Sequence, residues 1–156
     1  MTAGEITVRE AAPDDIGTLV AFQQATARET EGKDLDSQVA TKGVSAVFQP
    51  PDRGFYLVAE TGGRVVGGLL ITYGWSDWRA STFWWIQSLY VEPQWRRNGE
   101  VYRALHDHVR SLATSRQGVS GLRLQVERCH RVAQQTYANL GMVKSQYDLL
   151  EMDFLP

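Results

Sequence analysis

Apolar and polar positions alternate over residues 6–10, the period of a short strand, and the Ala-Ala-Pro-Asp-Asp that follows supplies a turn and an acidic first helical turn starting at Pro13. Ile16, Leu19, Val20 and Ala27 recur at helical spacing until Thr30-Glu31-Gly32, where glycine and polar residues favour a loop. A second helix is expected over residues 35–48, with Val39, Gly43, Val44 and Val47 on one face and Pro50 and Pro51 closing it. Residues 55–60, a Thr61-Gly62-Gly63 turn and residues 64–73 read as a hairpin. After a polar, tryptophan-containing link at 74–81, the aromatic and β-branched run 83–91 stops at Pro93, as a central strand would. Val101, Leu105, Val109 and Leu112 mark the buried stripe of a helix ending near Gly118, and residues 122–126 form another strand. Ala133, Thr136, Tyr137 and Leu140 mark a last helix ended by Gly141, and residues 142–146 and 149–154 are expected to close the chain as two strands.

The predicted order is β, α, α, three strands, α, β, α, two strands. There is no repeat and no linker long enough to divide domains, so a mixed α/β single domain over residues 1–156 is expected. The strand, loop, helix, strand run from 83 to 126 is the one crossover, which predicts a parallel pair there. A length of 156 residues with 43% hydrophobic content suits one real core. A formal charge of −2 excludes a broad basic field, so general binding to nucleic acid is not expected and any bound anion must be met locally. The single Cys129 cannot form an internal disulfide, and no apolar run spans a bilayer or reads as a signal peptide, which points to the cytoplasm and to no membrane partner. His106, His108 and His130 lack metal-site spacing, so no metal is predicted.

The candidate chemistry begins at Arg96-Arg97-Asn98-Gly99, between a strand and a helix start, where unpaired amides and the helix dipole favour an anion. Gly99 would let main chain approach a pyrophosphate, with Arg96 and Arg97 adding charge; the same residues would also serve as a plain polar connection. Leu89-Tyr90-Val91-Glu92-Pro93, then Arg96-x-x-Gly99, a helix, a strand and a helix carrying Ala133-x-x-x-Tyr137 before Leu140-Gly141 together resemble the GNAT superfamily of N-acetyltransferases. The resemblance covers essentially the whole chain. The stretches at 54–60, 73–79 and 83–91 are similar to those of a group of small bacterial members.

That resemblance implies a GNAT-like domain: a mostly antiparallel, twisted sheet of about seven strands with one splayed parallel pair and four flanking helices. It implies acetyl-CoA as cofactor, with Leu89 and Val91 offering main-chain hydrogen bonds around Tyr90, and the loop Arg96, Arg97, Asn98, Gly99, Glu100 and Val101 holding the pyrophosphate. Tyr137 matches the family tyrosine that serves the coenzyme A sulfur. Three positions depart from the family pattern: Val101 replaces a second small residue, Glu100 stands as an insertion, and His130 replaces an asparagine that contacts the cofactor arm.

Transfer to an amine needs a base, a polarised carbonyl and a proton for the leaving thiolate. A strand N–H near Leu89 is the oxyanion candidate. Glu29 is the candidate base, and Glu31, Trp75, Asp77, Trp84, Trp85 and Gln87 are candidates for contact with the amine, although the acids also read as solvated loop residues and the tryptophans as core or a dimer contact. On strand alternation, Trp85, Gln87 and Leu89 share one face, and Trp84, Ile86, Ser88 and Tyr90 the other. The expected activity is acetyl transfer to a primary amine of a small molecule by direct attack. An acyl-CoA-binding or homodimerising module and a protein lysine or N-terminal acetyltransferase remain the alternatives.

Overall fold

The computed structural model describes residues 4–155. The chain divides after Gln125 into two compact units. The first holds one five-stranded sheet in the order β1-β2-β3-β4-β5. Its elements are β1 (Thr7–Glu10), α1 (Ile16–Glu31), α2 (Ser37–Phe48), β2 (Gly54–Thr61), β3 (Arg64–Ser76), β4 (Ser81–Val91), α3 (Glu100–Ser115) and β5 (Val119–Leu124). Neighbours from β1 to β4 run antiparallel, and β4 and β5 are parallel, as the crossover predicts.

Each sheet face buries its own cluster. On one, Leu57, Leu69, Ile71, Trp84, Ile86 and Val91 meet Val101, Leu105 and Val109 of α3. On the other, Tyr56 and Val58 meet Leu19, Val20 and Phe22 of α1 and Val44 and Val47 of α2. α1 packs close to the sheet because β3 carries glycine there: a Cβ on Gly68 would lie 3.1 Å from Leu19 Cδ2. Asp36, one residue before α2, caps it by accepting from the Val39 N–H at 3.0 Å. Arg9 of β1 donates to both carboxylate oxygens of Asp15, at 2.8 and 3.0 Å, and to Glu60 of β2. This ties the first strand to the turn before α1, and the Arg9 guanidinium holds the Asp15 carboxyl below the usual carboxylate range against the opposing effect of burial.

The second unit holds one described helix, α4 (Arg131–Asn139), where the sequence pattern also predicts two strands. The sheet therefore has five strands rather than about seven. A strand is completed by a ladder partner, not by alternation alone. Residues 142–146 and 149–154 join no ladder among the described residues, and Val143, Leu150 and Phe154 stay 90%, 91% and 87% exposed, so the burial that would offset ordering is not gained. The chain between them turns on Ser145, whose Oγ accepts from the Tyr147 N–H, and Arg128 pairs with Asp148 at 2.9 Å.

Within α3, His106 is only 5% exposed and neither ring nitrogen has a hydrogen-bond partner among the described residues. Burial pushes its pKa down, so the folded state holds the imidazole neutral. The unfolded chain then binds the extra proton, and folding stability falls as pH drops below about 6.5. His106→Leu is expected to flatten that loss and to raise stability by about 1–3 kcal/mol, read by urea unfolding at pH 7.5 and 5.5; an unchanged pH slope contradicts the assignment.

Candidate active site

The centre of the site is β4. Its pairing with β3 shifts between Leu70 and Ile71: Leu70 faces Ser88 but Ile71 faces Ile86, which leaves Gln87 as the extra residue of a bulge. The bulge corrects the strand faces expected from simple alternation. Trp84 and Ile86 lie in the α3-side core, whereas Tyr90 packs on the α1 and α2 side, where Ser88 accepts from Gln23 of α1 at 3.1 Å.

Beyond the bulge, the Glu92 N–H donates to the Val66 carbonyl of β3 at 2.9 Å. Strand groups alternate sides, so Tyr90 and Ser88 also turn their backbone groups to β3, and Leu89 and Val91 turn theirs outward. On that outer side the parallel ladder with β5 ends at Ile86 and Leu124. No other strand among the described residues pairs there with residues 87–91. The Leu89 N–H and carbonyl and the Val91 N–H are therefore aimed at an open edge. The outward Val91 carbonyl accepts from Arg96 Nε at 2.8 Å, which confirms its direction.

The loop after β4 leads into α3 through two left-handed residues, Asn98 at φ 67° and Gly99 at φ 65°. Asparagine tolerates this conformation, and glycine adopts it freely. Gly99 is the N-cap of α3, no side chain caps the helix, and a Cβ built on Gly99 would meet nothing within 4 Å. The amides of Glu100, Val101 and Tyr102 in the first turn thus lack a side-chain acceptor. Glu100 is exposed at the positive end of the helix and Val101 is 1% exposed in the core, so neither side chain closes the turn. Arg97 is exposed beside this turn.

Arg96 has a different neighbourhood from the free cation its sequence position suggests. Besides Val91, it donates through one terminal nitrogen to both oxygens of Glu29, at 3.1 and 2.8 Å, and its Cζ lies 5.3 Å from the Tyr90 ring centroid. The C-terminal end of α1 is thereby tied to the end of β4. Glu29 is consequently a paired carboxylate, and Glu31 lies 3.8 Å from Lys33.

The aromatic candidates separate. Trp84 is 3% exposed and packs edge-on to Phe55 at 5.2 Å, which places it in the core rather than on an acceptor wall. Trp85 is half-buried and shares its face with exposed Gln87, which accepts from Thr72 Oγ1 at 3.3 Å. Trp75 is 70% exposed near the end of the β3–β4 hairpin, and Asp77 is exposed at its tip. No motif in the sequence marks the arginines of this end. Arg123 Cζ lies 3.5 Å from the Phe83 ring centroid, and Arg79 Cζ lies 5.0 Å from it.

In the second unit, His130 caps α4: its Nδ1 accepts from the Ala133 N–H at 3.0 Å, which leaves Nε2 to carry the proton. Tyr137 is half-buried on the same helix. No helix among the described residues is long and apolar enough to cross a membrane.

Comparison with known proteins agrees with this architecture. The sequence model of the acetyltransferase (GNAT) family matches residues 19–142. A crystal structure of a possible acetyltransferase from Clostridium difficile 630 is 38% identical, with a TM-score of 0.88 over 97% of this chain and 99% of that one. An aminoglycoside N-acetyltransferase in complex with CoA, at 11% identity, superposes with a TM-score of 0.76 over 99% of this chain and 98% of its own. An aminoglycoside acetyltransferase from an uncultured soil metagenomic sample, in complex with sisomicin, is 16% identical and gives a TM-score of 0.71 over 97% and 96%. At those two identities the likeness is one of fold. No curated protein matches significantly in sequence. A family match over most of the chain, together with the bulged strand and the open turn before α3, establishes that the chain belongs to the GNAT family of acetyltransferases.

Proposed function

We propose that residues 1–156 act as one N-acetyltransferase domain that uses acetyl-CoA to acetylate a primary amine of a small molecule. The observation that carries this reading is the open edge of β4, with outward main-chain groups at Leu89 and Val91, leading directly into the uncapped first turn of α3. The turn fits a pyrophosphate: its amides have no side-chain acceptor, the space beside Gly99 is empty, and Arg97 stands exposed beside it. Main-chain groups of Leu89 and Val91 would hold the pantetheine arm, and the Nε2–H of His130 is a donor suited to the role the family gives an asparagine. Acetyl-CoA supplies the acetyl group as a thioester. The outward Leu89 N–H would be the donor for a thioester carbonyl held there. The Tyr137 hydroxyl, assigned from its place in Ala133-x-x-x-Tyr137, would supply the proton to the coenzyme A sulfur. Glu29 is engaged by Arg96, which also donates to Val91, so we assign it to holding that guanidinium against Val91 and leave deprotonation to water.

Each role has its measurement. Gly99→Val would place a β-branched side chain in left-handed backbone beside the anion site, and should weaken acetyl-CoA binding at least about tenfold by calorimetry; unchanged affinity would remove the turn from the cofactor site. Tyr137→Phe should lower kcat about 100-fold with little change in acetyl-CoA affinity, and an unaltered kcat would take the hydroxyl out of the reaction. For Glu29→Gln, the acidic limb of the kcat/KM profile should persist while KM for acetyl-CoA rises several-fold; a flattened limb would instead make Glu29 the base.

A further inference from the structure

The sheet face that carries Gln87 continues toward the hairpin end as a built track. Trp85 and Phe83 lie on this face, each over a glycine of a neighbouring strand. A Cβ on Gly74 of β3 would lie 2.7 Å from Trp85 Nε1, and one on Gly121 of β5 would lie 3.1 Å from Phe83 Cε1. These glycines let both rings lie low on the sheet. Arg123, two residues after Gly121 and thus on the same face, stacks on Phe83 at 3.5 Å and reaches within 5.9 Å of the Trp85 centroid. Arg79 approaches Phe83 from the hairpin turn at 5.0 Å.

Both arginines are exposed and neither has a carboxylate partner among the described residues, although Asp77 is two residues from Arg79. The contrast with the α1 end of the site is informative. There Glu29 is neutralised by Arg96 and Glu31 lies beside Lys33, so no unpaired acid of that segment waits for a polycationic acceptor. A guanidinium held flat on a ring loses less freedom when it binds, and its N–H edge remains available for a forked grip on a carboxylate.

We propose that Arg123 and Arg79 form an anion subsite for the acceptor, which is an elongated primary amine ending in a carboxylate. The proposal rests on the acetyl-transfer reading only for where the amine lies. From Gln87 at the bulge to Phe83 is four strand positions, about 13 Å. Trp85 lies between them and provides an apolar floor for the middle of the acceptor. An α-amino acid is too short to span that distance, and a polyamine or aminoglycoside would bring positive charge to the two arginines.

A ladder of ω-amino acids of increasing chain length, paired with alkylamines of equal length, tests this by coenzyme A thiol release and by ligand-induced shifts in NMR. The long ω-amino acids should exceed their matched alkylamines in kcat/KM at least about tenfold, with the preference growing along the ladder. In the double variant Arg79→Gln, Arg123→Gln, checked for folding by circular dichroism, the ratio should fall to near one. Equal or better use of alkylamines or aminoglycosides overturns the proposal, and so does a preference that survives the double variant. If no amine is acetylated, arginine-dependent binding of the long ω-amino acids would uphold the subsite and refute the acetyl-transfer reading. Absence of any such binding preference would refute the subsite.

Discussion

One backbone constraint organises the site. In an antiparallel ladder each residue commits its N–H and carbonyl to one side, and β4 commits Glu92, and with it Tyr90 and Ser88, to β3. Leu89 and Val91 must then face outward. Because β5 runs beside β4 only as far as Ile86, those groups meet no strand on that side. The bulge at Gln87 brings this about without breaking the sheet, since it changes which face each side chain takes on either side of it. Trp84 and Ile86 can bury against α3, while two positions later Ser88 reaches the Gln23 side chain on α1.

Around that strand, charge is used locally. Arg96 joins α1 to the end of β4 by donating to the Val91 carbonyl, pairing with Glu29 of α1 and lying over Tyr90. The helix-start amides after Gly99 have no side-chain cap, and Arg97 rather than Arg96 is the exposed cation beside them. A chain with a formal charge of −2 thus has an uncapped helix start at one end of β4 and an arginine-aromatic cluster at the other without a basic surface overall.

Local signals carried most of the fold. The Asp36 cap, the glycine turn of the β2–β3 hairpin and the apolar stripe of α3 all lie within a few residues of what they determine. The hairpin of β3 and β4 outran its sequence signal because Trp75 pairs with Thr82 and extends the ladder into polar sequence. Residues 142–146 and 149–154 have strand-like patterning, but pairing is a long-range property and no described ladder includes them. The candidate site's backbone features, the strand end at Leu89 and Val91 and the left-handed Gly99 before α3, were legible because each is a local property of the chain. It was hidden where it depends on distant partners: Glu29 is 67 residues from Arg96, and no local pattern marks the stacking of Arg123 on Phe83. Simple alternation also put Ser88 and Tyr90 on the face of Trp84, since nothing in the spacing announces a bulge.

If a strand edge and a helix start act together as a main-chain clamp for coenzyme A, the ligand must touch both at once. Titrating the isotope-labelled protein with coenzyme A and following its backbone amides by NMR tests it most directly. The amides of Leu89, Val91, Glu100 and Val101 should shift together at a single affinity, while those of β1 and β2 stay in place. Saturation with no change at Leu89 and Val91, or with the changes gathered elsewhere on the sheet, would rule the clamp out.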